Sequence, residues 1–170
     1  MKKNKNLILI IASIAILVGI VSFAATIDKK GEKNNISESS SGVLSAKENS
    51  YNFGKISIAN GNISYRFKIE NSGSESVIIN KVYTSCMCTT ASIINESGKN
   101  LGVFGMPGHG DLAKANIEVK SNESMIVEAV FDPAAHGPEG TGKIKRLIYL
   151  ETNSQTNPKL QLAIEAEVTR

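Results

Sequence analysis

Tryptophan is absent from this chain, aromatic residues make up only 5% of it, and it holds two cysteines and two histidines. Both cysteines fall in one stretch, Thr84-Ser85-Cys86-Met87-Cys88-Thr89-Thr90, so the zinc-finger arrangement with thiols from two loops is excluded. No cysteine closely follows the apolar N-terminal run, which excludes a lipid-anchored lipoprotein. An excess of basic charge is missing too. The formal net charge is +3, but Lys2, Lys3 and Lys5 precede the apolar run, and without them 16 basic side chains face 16 acidic ones (19 less 3, against 16). The remainder carries no field suited to nucleic acid. A serine hydrolase is excluded as well: Asp132 lies near His136, but no nucleophile-elbow sequence accompanies them. The carboxylates are scattered, so the chain reads as no enzyme.

The N-terminus has one long hydrophobic run, Leu7 to Ala25, without a charge. As a helix it would span about 28 Å, close to the thickness of a bilayer core. The lysines before it keep the N-terminus in the cytoplasm and send the rest outward. A transmembrane signal anchor over residues 1–25 is expected, since the run exceeds the roughly 7–15 apolar residues of a cleaved signal peptide. Cleavage near Ser22-Phe23-Ala24 is the alternative. Residues 26–46 are polar and poor in aromatics, which suits a flexible linker. Residues 47–170 are enough for one domain with its own core.

That domain reads as strands. Ile63, Tyr65, Phe67 and Ile69 alternate with Ser64, Arg66, Lys68 and Glu70. Met125, Val127, Ala129 and Phe131 follow the same period of two, as do Leu160, Leu162, Ile164, Ala166 and Val168. Turn residues separate the runs at Asn60-Gly61-Asn62, Asn71-Ser72-Gly73, Ser121-Asn122-Glu123 and Asn153 to Pro158. No stretch after residue 46 sustains a helical stripe. An all-β, antiparallel, immunoglobulin-like β-sandwich is the expected fold.

Tyr51-Asn52-Phe53-Gly54-Lys55-Ile56, then Asn71-Ser72-Gly73, then Ser85-Cys86-Met87-Cys88-Thr89 and a late Thr152-Asn153 occur in that order. The order resembles a bacterial exported family, domain of unknown function 1573, over about residues 48–168. The resemblance implies a fold similar to the major sperm protein and to immunoglobulin-like domains of ciliary and centrosomal proteins. It also implies a place in the bacterial cell membrane with the domain outside the cytoplasm, and a protein partner there, but no activity. Gly102 to Gly110 and Ala134 to Gly142 depart from the family pattern.

Gly137 to Lys143 matches the front of a phosphate-binding loop. However, Ile144 stands where Ser or Thr would hold magnesium, and the segment after it reads as a strand. No nucleotide cofactor is expected. Lys143, Lys145 and Arg146 read as a solvated strand edge.

The remaining chemistry lies with sulfur and imidazole. His109 in Met106-Pro107-Gly108-His109-Gly110 and His136 in Ala135-His136-Gly137-Pro138 sit in loops shaped by glycine and proline. Thiolates, imidazoles and a thioether suit copper or zinc, with Cys86, Cys88, His109, His136 and Met106 as the candidate metal ligands. They can meet only if Asn100 to Phe104 returns as a strand after a turn at Glu96 to Lys99. Otherwise the cysteines and the histidine loops fall at opposite ends. An unstructured stretch from Glu96 to Asp111 would be unusually long, so the returning strand is expected.

Three uses of Cys86 and Cys88 stay open: a metal chelate, a structural disulfide, and thiol redox exchange. In an extended backbone their Cα atoms would lie roughly 6.5 Å apart. A bond between them therefore needs a kinked turn. The rival from another class is a protein-interaction module in which the pair is structural.

Overall fold

The computed structural model describes residues 39–109 and 114–170. Ten strands make up the described fold: β1 (Leu44–Ala46), β2 (Ser50–Ser57), β3 (Ile63–Asn71), β4 (Val77–Thr84), β5 (Thr89–Asn95), β6 (Asn100–Phe104), β7 (Lys114–Val119), β8 (Ser124–Phe131), β9 (Gly142–Thr152) and β10 (Lys159–Thr169). They form two five-stranded sheets, ordered β1-β3-β8-β5-β6 and β2-β10-β9-β4-β7. One hydrophobic core draws on both sheets, from Phe67, Ile69, Val127 and Ile93 on one and Ile79, Ile148, Leu150 and Leu162 on the other. This is the expected β-sandwich.

Alternation places these residues. Along β8, Met125, Val127, Ala129 and Phe131 are buried while Ser124, Ile126, Glu128 and Val130 are only partly covered. β3 behaves the same way, with Phe67 and Ile69 inward and Arg66, Lys68 and Glu70 outward. β10 departs from strict alternation: Ala163 is buried along with Leu162 and Ile164. Ala163 is small and lies between its register partners Ser50 of β2 and Leu147 of β9.

Two expectations about architecture change. The sandwich is not wholly antiparallel, because β10 pairs β2 in parallel, with Ile164 opposite Tyr51. β1 and β2 belong to different sheets, so the chain crosses the sandwich between them instead of turning back in a hairpin. The linker also ends earlier than residue 46. Leu44–Ala46 pairs β3, Leu44 is fully buried, and Ser40 forms an isolated bridge with Ser154. The expected anchor helix at residues 1–25 lies outside the described residues. Among those described, no helix is long and apolar enough to cross a membrane.

The segment from Ser40 to Leu44 is held by polar side chains that reach it from the turns. Asn71 is completely buried. Its Oδ1 accepts from Val43 N–H and Gly73 N–H, both at 3.0 Å, while its Nδ2 donates to Glu75 O at 2.7 Å and Val119 O at 3.0 Å. Asn157 Nδ2 donates to Leu44 O at 2.6 Å. Gly73 must be glycine, because a Cβ there would lie 2.6 Å from Gly42 Cα.

The expected parity of the strands holds. Asn95 to Lys99 forms a turn and β6 returns along β5, with Phe104 opposite Ala91. β4, β6 and β8 end, and β5, β7 and β9 begin, at the same end of the sandwich, and each successive pair there has one strand in each sheet.

Candidate functional site

The β4–β5 connection is Ser85–Cys88, a tight crossover whose backbone is already well tied. Thr89 N–H donates to Cys86 O at 3.1 Å, and Asp132 N–H donates to Cys88 O at 2.9 Å. Ser85 N–H donates to Leu147 O, and Leu147 N–H to the Ser85 hydroxyl, both at 2.9 Å. The buried Thr84 hydroxyl shares its proton between Cys86 O at 3.0 Å and Thr89 O at 2.9 Å. These bonds bend the chain where an extended backbone would have separated the cysteines. Their Cα atoms stand 5.3 Å apart, and the two sulfurs are paired as a disulfide.

The surroundings of the two sulfurs differ. Cys88 is 3% exposed and is part of the core. Arg146 Nε donates to its sulfur at 3.2 Å, and the Thr89 hydroxyl lies 3.7 Å away. Cys86 is partly open. His136 Nε2 lies 3.2 Å from its sulfur, and Cys88 N–H donates to the same sulfur at 3.3 Å. His136 itself is exposed and comes from the β8–β9 connection, where Gly137–Gly140 forms a short 3-10 turn. Strand β9 follows that turn, where a phosphate-binding loop would lead into a helix.

Of the expected ligands, Cys86, Cys88 and His136 come together, with their donor atoms all within 4.8 Å of one another. His109 is at the same end but outside this cluster. It is exposed, and its N–H donates to Met106 O in a local turn. Met106 follows Gly105, whose carbonyl accepts from Thr84 N–H at 3.1 Å, so its backbone runs past the rim of the site. Met87, between the cysteines, is 53% exposed.

Arg146 departs from the solvated strand edge expected for Lys143, Lys145 and Arg146. On β9 it shares the inward parity of Ile148 and Leu150, whereas Lys145 points outward and pairs with Glu165 at 2.8 Å. The signal was available: Ile144, Arg146, Ile148, Leu150 and Thr152 alternate, and a cation in that row sits at the mouth of the core. Arg146 makes no ion pair among the described residues.

Residues 44–100, from β1 to the start of β6, match the family model described as "Protein of unknown function (DUF1573)", which bears out the resemblance drawn from the Cys-x-Cys element. No curated protein matches the chain. The fold is similar to that of a protein of unknown function from Porphyromonas gingivalis W83, at 18% identity and a TM-score of 0.55. That match covers 80% of this chain and 51% of the other, so this chain spans about half the length of its relative. More distant likenesses include the ASH/PapD-like domain 7 of human CEP192, at 16% identity and TM-score 0.43, covering 75% of this chain and 85% of that one. The secreted serine protease VesC of Vibrio cholerae matches at 12% identity and TM-score 0.45, covering 74% and 23%. These likenesses concern the sandwich alone.

Proposed function

We propose that this chain is a membrane-tethered, extracytoplasmic β-sandwich whose reduced Cys86–Cys88 pair binds a soft metal ion together with His136. The observation that supports this reading is that polar donors are aimed at both sulfurs: the Cys88 N–H at Cys86, and the Arg146 guanidinium at Cys88. A disulfide is neutral and accepts hydrogen bonds weakly, whereas thiolates gain from each donor. Charged sulfurs, free or metal-bound, are the state this environment fits. The bond between them adds little to folding. Closing a three-residue loop is worth about 1.6 kcal/mol on chain-entropy grounds, and the turn already has its hydrogen bonds.

Two thiolates and one imidazole make a three-coordinate set suited to copper(I), or a zinc set with one open position. The test is to reduce the full chain with a phosphine, remove the reductant without air, and titrate Cu(I) against a chromophoric chelator. One equivalent is expected, lost in Cys86→Ser and Cys88→Ser, weakened in His136→Ala and unchanged in His109→Ala. No binding by the reduced protein would refute the reading.

A second reading has its own observation, the paired sulfurs with Cys86 open and Cys88 buried. In thiol–disulfide exchange, one thiolate of a dithiol substrate attacks Cys86 Sγ. The S–S bond breaks, and its electron pair goes to Cys88 Sγ beside Arg146. The substrate's second thiol then displaces Cys86, leaving the substrate oxidised and the pair reduced. Trapping a mixed disulfide on Cys86 in Cys88→Ser, and none on Cys88 in Cys86→Ser, would favour this chemistry.

A further inference from the structure

Resting on the metal-site reading, we infer that Arg146 sets which metal charge the site accepts, favouring a monovalent ion such as Cu(I) over divalent zinc. The inference follows from counting charge at a half-buried site. Two thiolates and a neutral imidazole carry −2. With Cu(I) the complex is −1, and the Arg146 guanidinium 3.2 Å from Cys88 Sγ brings the total to zero. With Zn(II) the complex alone is neutral, and the same guanidinium leaves an excess of +1 against the core.

Arg146 can act in this way because no carboxylate among the described residues pairs with it. Its neighbours on the outward face, Lys145 with Glu165 and Lys55 with Glu167, balance each other, while Arg146 makes no ion pair among the described residues. Its Nη1 donates to the Lys145 carbonyl at 3.2 Å, so the guanidinium is held in place without losing its charge. Cys88 is buried, so the interaction is less screened than a surface pair would be. The three-ligand geometry works in the same direction, since copper(I) is satisfied by three donors and zinc takes four.

The test measures Cu(I) and Zn(II) affinities separately on the reduced full chain, each against a chelator selective for that metal, in wild type, Arg146→Gln and Arg146→Lys. Loss of a unit charge a few ångströms from the sulfurs should lower the Cu(I)-to-Zn(II) affinity ratio in Arg146→Gln by about tenfold or more. Arg146→Lys keeps the charge and should hold the ratio within about threefold of wild type. Equal ratios in all three proteins would overturn the inference while leaving the metal site standing. So would a parallel fall in Gln and Lys, which would mean that guanidinium shape and not charge is at work. If wild type binds neither metal, the site itself falls, and the role of Arg146 falls with it.

Discussion

Asn71 shows how much of this fold rests on single polar side chains. Its four hydrogen bonds reach Val43, Gly73, Glu75 and Val119 from a completely buried position. Truncation to alanine would take this partner from two N–H groups and two carbonyls at buried or partly buried positions. Each such group costs about 1–3 kcal/mol, softened where water enters, so Asn71→Ala should lose at least about 3 kcal/mol in urea unfolding. The cysteines stand in contrast. If the bond between them is not a staple, Cys86→Ser and Cys88→Ser should each unfold within about 2 kcal/mol of the oxidised wild type. A much larger loss would restore the structural-disulfide reading. His109 and His136 look alike in sequence, each next to a glycine and two residues from a proline, yet only His136 meets the sulfurs. Sequence indicates which residues lie in loops, but where a loop side chain ends up depends on the path of the whole connection.

Among the elements, strand identity was largely legible because period-two alternation is a local signal. The β3, β8 and β10 patterns and the turn chemistry at Asn60 to Asn62 and Asn153 to Pro158 match the observed strands. The returning strand β6 followed from an argument about loop length. What escaped was the segment ahead of β2, whose serines and glycine read as linker. Its order comes from partners far away in sequence: Asn71, Ser154 and Asn157 bond to backbone groups between Gly42 and Leu44. Composition alone cannot register such long-range satisfaction. Leu44, fully buried between the sheets, is the apolar anchor of that segment. Leu44→Ala should cost about 2–5 kcal/mol, read from the urea midpoint, whereas a true linker residue would cost next to nothing. Arg146 escaped for a different reason. Its neighbours Lys143 and Lys145 are basic too, and a run of like residues conceals the inward parity of one of them.

For the molecule as a whole, pH connects these elements. The Glu75 carboxylate is held below its ordinary pKa chiefly by the Ser41 N–H, 3.0 Å away on the N-terminal segment. The Tyr83 hydroxyl does the same for Glu151, donating at 2.8 Å between β4 and β9. Both values are lower folded than unfolded, so both groups favour folding above the unfolded carboxylate pKa of about 4.3. That contribution is lost as pH falls through the lower folded values. Thermal midpoints should therefore drop from about pH 5 downward, and Glu151→Gln should flatten the slope. Lys159 behaves oppositely, its pKa raised mainly by its bond to the Tyr83 hydroxyl, so its contribution holds below the unfolded lysine value and is lost on the alkaline side.

The sandwich brings the β4–β5 and β8–β9 connections to one end, and these supply the sulfurs and the imidazole. X-ray absorption at the copper edge of the reduced, copper-loaded chain tests that account most directly. Copper(I) with two sulfur neighbours and one imidazole nitrogen is the expected result, with loss of the nitrogen in His136→Ala. A shell of oxygen and nitrogen alone, or an unchanged spectrum in His136→Ala, would contradict it.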